Sequence, residues 1–473
     1  MRRFVSYTNL ILILVAISAF VWWVVRDPWR HLVASEPGMD HRPAGLDSIT
    51  EVIRIGSVYN LYGEASSQLL ESWPRFRGSD FDNISKSAVP LINSFPATGP
   101  DILWSVELGE GHAGASIYQG KLYLMDYLEN SKADMLRCFD LVSGTELWQR
   151  GYQVNVKRNH GMSRTVPAVT DKYILTIGPR AHIMCLDRED GTFRWGIDVE
   201  KDYRSEIPFW YTGQCPLIDN GVAVIATGGE ALMIGVDCET GEKLWETPTE
   251  PGWKMSHASI IPWDFGGRRM YVYSAVGVAC GIVADGEDAG KILWKTSKWN
   301  HSVVAPSALC LPDGRIFLSA GYGSGSMVLK IHHSAGQYEV EILDSYKPVE
   351  GLSSEQQTPL FWNGHVFGIL PKDAGPLRNQ FVCVNPSDFK KVIWSSGQEN
   401  RYGLGPYILA DNKFFILSDD GVLTILRPST SSFIQLDKVK LFDGHDAWAP
   451  IAVADGYMVL RDSKTMICVN LNL

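Results

Sequence analysis

The eight cysteines are the residues here with the most varied possible chemistry, because cysteine serves in zinc sites, disulfides and redox centres. The chain has no Cys-x-x-Cys pair and no two adjacent cysteines, so neither a zinc ribbon nor a vicinal disulfide is supported. Four of them share one position of a repeated hairpin, namely Cys138, Cys185, Cys383 and Cys468. Equivalent positions in separate units should lie beyond the ~7 Å Cα limit for a disulfide. We therefore expect small, buried apolar side chains.

Two further segments look superficially like ligand-binding loops. Gly321–Ser326 is rich in glycine, but it lies between strands, so the helix dipole that phosphate binding uses is missing. Asp285–Gly290 is acidic, but it lacks the ligand spacing and the final Glu of a calcium loop. We expect both segments to be turns.

A repeated hairpin organises the chain. Its clearest copy, Cys138–Trp148, reads as a strand, a turn with Asp and Gly, and a second strand that ends in Trp. Successive repeat tryptophans are separated by 47, 50, 49 and 100 residues, and the last gap fits one copy that has lost its Trp: Trp148, Trp195, Trp245, Trp294 and Trp394. A period of this size, with several strands in each unit, predicts the blades of a β-propeller.

A second feature counts the blades independently of tryptophan. Each unit begins with a small or polar residue followed by Pro or Ser, where a strand starts. Eight such starts occur: Ala115-Ser116, Val166-Pro167, Cys215-Pro216, Ala258-Ser259, Ala305-Pro306, Thr358-Pro359, Gly405-Pro406 and Ala449-Pro450. The sequence therefore predicts an all-β, eight-bladed propeller of four-stranded antiparallel blades.

The two ends of the repeat region should complete one blade together. The chain after Pro450 supplies three strands and ends with Met466–Leu471, whereas Ile102–Leu108 is a strand with Trp104 and no blade before it. We expect these two strands to pair, so that the ring has no open edge.

Residues just before the blade starts should face the mouth of the central funnel. They are polar and mixed, and they give six candidate binding residues: His160, Arg164, Gln214, His257, Gln357 and Trp448. The set holds no nucleophile–base pair, and the nearby carboxylates Glu355 and Asp446 do not stand at a known ligand spacing. The alternatives are a ligand site and a solvated rim.

The amino end carries an apolar run, Asn9–Val25, with Trp22 and Trp23 at its end and Arg26 and Arg30 beyond. This pattern favours one transmembrane helix, and a cleaved signal peptide is the alternative. We expect the helix to tether the propeller to the cytoplasmic membrane on its extracytoplasmic, periplasmic side. The formal net charge of −10, without a Lys/Arg run, argues against a nucleic-acid partner.

The expected organisation has four parts. Residues 1–30 are the anchor with its flanks, 31–72 a linker, 73–100 an extension that packs on the propeller, and 101–473 the propeller itself. A short helix is expected within Ile49–Leu70.

The hairpins at Asp140–Trp148, Asp187–Trp195 and Asp237–Trp245 resemble the repeat of pyrroloquinoline-quinone (PQQ) propellers, and Trp73–Gly78 resembles the opening of exported members. The resemblance implies one of two roles. Quinoprotein dehydrogenases bind the quinone and Ca²⁺ in the funnel, whereas propellers similar to the outer-membrane protein assembly factor B bind other proteins.

The family's vicinal cysteine pair is absent, so no catalytic, cofactor or metal residue is carried over, and PQQ and Ca²⁺ are unsupported by any motif. We expect a non-enzymatic scaffold that binds a protein partner at the propeller face. A quinone- and Ca²⁺-dependent oxidoreductase and a carbohydrate-binding propeller are the alternatives. The repeat tryptophans, Trp104 included, are expected to be structural.

Overall fold

The computed structural model describes residues 2–25, 53–65, 67–444 and 446–473, without the side chains of 2–8 and 10. The chain divides into two units, residues 1–52 and 53–473. The first unit contains helix α1 (Arg2–Val25), so the expected helix is present. Among the residues described, however, no helix is long and apolar enough to cross a membrane. The transmembrane character predicted for residues 9–25 is therefore not supported, and Arg26 and Arg30 lie outside the described residues.

The second unit is the predicted eight-bladed propeller of four-stranded antiparallel blades. Three strands precede the first blade: β1 (Val58–Leu61), β2 (Ser72–Trp73) and β3 (Asp101–Glu107). Blades 1 to 4, in chain order, are β4 (Ser116–Tyr118), β5 (Lys121–Leu128), β6 (Ala133–Asp140), β7 (Glu146–Gln153); β8 (Ala168–Val169), β9 (Tyr173–Ile177), β10 (His182–Asp187), β11 (Phe193–Asp198); β12 (Leu217–Asp219), β13 (Val222–Ala226), β14 (Ala231–Asp237), β15 (Lys243–Pro248); and β16 (Ile261–Phe265), β17 (Arg268–Ala275), β18 (Val278–Val283), β19 (Ile292–Thr296).

The other four blades follow in the same way. They are β20 (Leu309–Cys310), β21 (Arg315–Ala320), β22 (Gly325–Ser334), β23 (Gln337–Tyr346); β24 (Leu360–Trp362), β25 (His365–Ile369), β26 (Phe381–Asn385), β27 (Asp388–Ser395); β28 (Tyr407–Ala410), β29 (Lys413–Leu417), β30 (Val422–Leu426), β31 (Gln435–Lys440); and β32 (Ala452–Ala454), β33 (Tyr457–Arg461), β34 (Thr465–Asn470) with β3. One short helix, α2 (Val199–Asp202), and two 3₁₀ turns, Pro348–Glu350 and Gly375–Leu377, lie in the connections.

The ring closes as predicted. Strand β3 pairs antiparallel with β34 as the outermost strand of blade 8, with Ser105 opposite Ile467. The register shifts between Ile102 and Trp104, so a bulge falls at Leu103. The bulge keeps Trp104 aligned with Cys468 while the first and last parts of the chain share one sheet.

The repeat tryptophans lie on the outermost strands of their four-stranded blades, and three of them bond to the next blade. The indole Nε1 of Trp104 donates a hydrogen bond to the carbonyl of Leu141 at 2.8 Å, and that of Trp195 donates to the carbonyl of Cys238 at 2.9 Å. Trp394 makes the same kind of bond to Ser429 at 3.0 Å. These contacts join neighbouring sheets, as the predicted structural role requires.

The blade starts also join neighbouring blades, through a belt of hydrogen bonds around the central channel. The amide of Cys215 donates to Ser259 Oγ at 2.9 Å, the amide of Ser259 to Ser307 Oγ at 3.1 Å, and the amide of Ser307 to Thr358 Oγ1 at 2.8 Å. In blades 4, 5 and 6 a hydroxyl at or directly after the start thus satisfies a backbone amide of the blade before it.

The part of the expected linker that the structure describes is attached to blade 1. Strand β1 pairs with β7 at the outer edge of that blade, and β2 pairs with β4 at its inner edge, so this sheet has six strands. Ser67 donates to both carboxylate oxygens of Asp140, at 2.7 and 2.9 Å. The helix expected within Ile49–Leu70 is therefore wrong from Ile53 onward, because the unpaired edge of β7 offers this segment a sheet partner.

The cysteines are structural, as expected. Among the described residues no disulfide forms, and the four repeat cysteines named above are fully buried. Burial raises the pKa of the thiols of Cys138, Cys383 and Cys468. For Cys185 the hydrogen bond with Cys238, followed by burial, raises the pKa. None of the four is a thiolate at neutral pH.

Candidate functional site

Residues 73–92 cross the centre of the propeller, and we call them the crossing segment. Trp73 pairs with Ile117 of blade 1, and Arg75 donates to the carbonyl of Ile218 in blade 3 at 3.4 Å. Further along, the amide of Leu409 in blade 7 donates to the carbonyl of Asn83 at 2.9 Å. Because blades 3 and 7 stand opposite each other in a ring of eight, the segment must span the channel.

Arg77 lies in the middle of this segment and is 3% exposed. Its Nη2 donates to the carbonyl of Pro359 in blade 6 at 3.3 Å. Burial lowers the pKa of Arg77 to about 10, so the guanidinium remains charged at neutral pH. A cation thus lies in the interior of the channel.

A cavity of ≈ 320 Å³ lies in the channel next to the crossing segment. Phe76 and Asn83 of that segment line it, as do His160, Trp210 and Tyr322 from the loops at the funnel mouth. We call it the central cavity. Its volume is at the lower end of the range for small-molecule sites, which is roughly 300–1,000 Å³.

The structure brings five of the six predicted rim residues to this cavity: His160, Arg164, His257, Gln357 and Trp448. Gln214 is not among its lining residues. Its side chain is 1% exposed and bonds both backbone groups of Ala226, which holds it inside blade 3. The carboxylates of Glu355 and Asp446 also line the cavity.

One side of the cavity is built from His112, Arg164 and Trp448. The His112 and Trp448 rings stack with their centroids 3.5 Å apart and an interplanar angle of 15°. The guanidinium carbon of Arg164 lies 5.7 Å from the centroid of the Trp448 ring. Arg164 is held by its backbone contacts, since Nε donates to the carbonyl of Trp210 at 2.7 Å and Nη2 to that of His160 at 2.6 Å.

The other side is built from loop aromatics. The Trp210 and Tyr322 rings stack at 5.5 Å with an angle of 12°, and Phe209 meets Trp210 edge-on at 5.3 Å. Phe209 is 78% exposed and Tyr322 56% exposed. Lys372 lies 4.9 Å from the centroid of Tyr322 and pairs with Glu355 at 3.0 Å, so the carboxylate on this side has a counter-ion.

Two histidines at the cavity, the buried His112 and the half-buried His257, are neutral at pH 7. Burial, with a smaller effect of Arg164, lowers the pKa of His257 to about 4. Burial, followed by Arg164 and Arg461, lowers the pKa of His112 to about 2. Burial also lowers the pKa of Arg164, to about 10, so Arg164 keeps its charge. The cation on this side of the cavity therefore faces neutral imidazoles.

Sequence reasoning missed His112, Trp210 and Tyr322. His112 stands three residues before Ala115-Ser116, so the rule used for the other blade starts would have found it in blade 1. Tyr322 lies in Gly321–Ser326, whose glycines predict a turn and give no sign of a binding residue. Trp210 had no signal beyond the aromatic run around it, because its role depends on which loops meet across the mouth.

The residues present do not form the Ca²⁺ site that the resemblance raises. Within the described part of the chain, no group of three or more His, Cys, Asp or Glu side chains stands close enough to hold a metal ion. Of the two carboxylates at the cavity, Glu355 is already paired with Lys372. We therefore assign no chemistry to a cofactor.

Comparisons with known proteins agree with the repeat. The family model described as outer membrane protein assembly factor BamB matches residues 132–329. No curated protein matches the chain. Among solved structures, the crystal structure of BamB from Moraxella catarrhalis is similar with a TM-score of 0.53 and 11% identity, covering 78% of this chain and 99% of that one.

Two other solved structures share the fold. A europium-containing methanol dehydrogenase aligns with a TM-score of 0.57 and 12% identity, over 82% of this chain and 89% of that one. The computationally designed Ika8 protein aligns with a TM-score of 0.51 and 10% identity, over 78% and 100%. Identities this low speak for the fold alone. Residues 132–329 thus match that family model, and the chain has the fold of a PQQ-like β-propeller.

Proposed function

We propose that this protein is a non-enzymatic scaffold that binds a partner protein around the mouth of the central cavity. The observation that carries the proposal is the group of exposed aromatic side chains at that mouth, Phe209 and Tyr322, next to Trp210. Clustered exposed aromatics are unusual on a free surface and typical of the centre of a protein interface. The family model named for an assembly factor supports the same kind of role.

The charged groups near the mouth suit the polar rim of such an interface. Arg158 pairs with Glu110, Arg180 with Glu200, and Lys372 with Glu355. The pairs balance one another, so the surroundings of the aromatics have no strong single sign of charge. A mixed rim around an apolar centre is the usual anatomy of a protein–protein interface. An anionic nucleic acid would need a basic face instead.

The experiment compares matched surface variants of the full chain. Phe209→Ser with Tyr322→Ser removes the exposed aromatics at the mouth. Leu244→Ser with Ile393→Ser removes exposed apolar side chains from outermost strands, at 53% and 40% exposure, and serves as the control. Tagged proteins are purified from the native cells, and co-purifying protein is quantified.

We expect the mouth variant to lose at least tenfold of a specific co-purifying protein, while the outer-wall control retains it. Equal loss from both variants, or no loss from either, would contradict a partner site at the mouth. Melting temperatures of all three proteins check that the fold is unchanged.

A further inference from the structure

Arg164 is a half-buried cation without an acidic partner among the described residues. Its Nε and Nη2 donate to backbone carbonyls, whereas Nη1 makes no hydrogen bond within the described residues. Among those residues, no carboxylate stands within ion-pair distance of it. Arg158 and Arg180, by contrast, each pair with a glutamate. A desolvated guanidinium that keeps donors free is suited to an anion that is not part of this chain.

The lining of the cavity includes one arginine, Arg164, in a chain whose formal net charge is −10. Arg461, 3% exposed, and Arg77 lie nearby in the channel and bond only backbone carbonyls. His112 and His257 are neutral. The acids that face the cavity are Glu355, which pairs with Lys372, and Asp446.

A further donor and aromatic faces accompany Arg164. Gln357 Nε2 is a buried donor without a hydrogen-bond partner among the described residues. The stacked His112–Trp448 pair and the Trp210–Tyr322 pair line the same cavity. A ligand that combines a carboxylate with a flat or large apolar group would satisfy both kinds of surface.

The crossing segment makes the cavity a dead end. Phe76 and Asn83 line it from the channel side, and the segment that holds them is bonded to blades 1, 3 and 7. An extended chain that entered from the mouth could not continue through the propeller. A chain end fits such a site, whereas an internal loop would have to bring two strands through one opening.

We infer that the central cavity holds the C-terminal carboxylate of the partner protein, with an aromatic or large apolar last side chain among the stacked rings. Arg164 Nη1 is the principal donor to that carboxylate. The inference rests on the proposed function and adds the chemistry that the site recognises.

The test uses the full-length protein and two peptides that differ only at the end. One is N-acetyl-Gly-Gly-Phe with a free carboxylate, and the other is the same peptide as its C-terminal amide. Titration calorimetry measures both affinities for the unmodified protein, for Arg164→Gln and for Arg158→Gln, a nearby arginine that is 73% exposed. Because the acid–amide comparison needs no variant, it stands even if Arg164→Gln fails to fold.

We expect the acid to bind at least tenfold more tightly than the amide, with the difference lost in Arg164→Gln and retained in Arg158→Gln. Equal affinities, or no binding of either peptide, would overturn the inference. A third probe, 3-phenylpropionate, has the carboxylate and the phenyl ring but no peptide bond, and it tests whether the site requires a peptide. If it binds as tightly as the peptide acid, the site takes small carboxylates and the assignment to a chain end is wrong.

Failure here and failure of the proposed function give different results. If the co-purifying protein depends on Phe209 and Tyr322 but acid and amide bind equally, the scaffold role stands and the carboxylate assignment falls. If the acid is preferred but no protein depends on the mouth aromatics, the partner role falls.

Discussion

The indole of Trp195 in blade 2 lies directly against Gly241 in the turn of blade 3. A Cβ atom on Gly241 would stand 2.7 Å from Trp195 Cγ, and the glycine has a φ of +76°. The same relationship joins Trp104 to Gly144, so turn glycine and outer-strand tryptophan form one repeated joint between blades. Both members of the Trp–Gly pattern in the sequence are thereby explained.

Changing either member should destabilise the propeller. Trp195→Ala should cost about 3–5 kcal/mol of unfolding free energy, as removal of a large buried aromatic does. Gly241→Ala should cost at least about 1 kcal/mol more than Gly221→Ala. Gly221 has a similar φ of +81° but nothing within 4 Å of its Cβ position, so the difference isolates the contact. Denaturant melts measure all three; equal costs for the two alanines would argue against the joint.

Ring closure predicts that deleting β3 destabilises the propeller much more than deleting β1. Deletion of residues 101–107 removes β3, which exposes the edge of β34 and the contact of Trp104 with Leu141. Deletion of residues 58–61 removes β1 but leaves blade 1 with its own four strands. We expect aggregation or a large drop in melting temperature for the first deletion and a small change for the second. Comparable effects would contradict closure through β3.

Asp134 should make stability depend on pH. It is fully buried, Tyr152 donates to its Oδ2 at 2.8 Å, and burial raises the pKa of Asp134 to about 7. Because an unfolded Asp titrates near about 3.9, the contribution of this group is complete below that pH and is lost as pH rises to about 7. The loss is roughly 1.4 kcal/mol per pH unit within this window.

Asp134→Asn imitates the protonated form, so the variant should gain stability relative to the unmodified protein between pH 5 and pH 8. Asp264→Asn, at a carboxylate that is 71% exposed, is the control and should show no such gain. His112 and His257 contribute stability that is lost in the opposite direction, as the pH falls below about 6.5. Because this loss is the same in the variant and in the unmodified protein, it cancels in the comparison. Urea melts at pH 5 and pH 8 measure the free energy of unfolding of each protein. If Asp134→Asn differs from the unmodified protein by the same amount at both pH values, Asp134 is charged throughout this range.

The ring and its closure could be predicted because they depend on local patterns. The Trp spacing, the blade starts and the orphan strand at Trp104 each depend on a few neighbouring residues. The cavity depends on contacts between distant loops, such as Trp210 with Tyr322, which no local pattern encodes. The path of the crossing segment was equally hidden, since Arg77 finds its partner, Pro359, 282 positions away.

The mouth aromatics should contribute to binding and little to stability. Phe209 is 78% exposed, so Phe209→Ser should change the free energy of unfolding by no more than about 0.5 kcal/mol. Phe381→Ser, at a fully buried position, should cost several times as much. Thermal melts of the two variants measure this. A large loss from Phe209→Ser would mean that this side chain is a packing residue of the fold.

Site-specific photocrosslinking tests the partner site at the mouth most directly. A photoreactive phenylalanine analogue is placed at 209 or 322 at the mouth, or at 244 or 393 on the outer strands, in the full-length protein in its native cells. The account predicts one discrete protein adduct from positions 209 and 322, none from 244 and 393, and a crosslink at the extreme C-terminal peptide of the captured protein. Adducts that form only from the outer strands would contradict it.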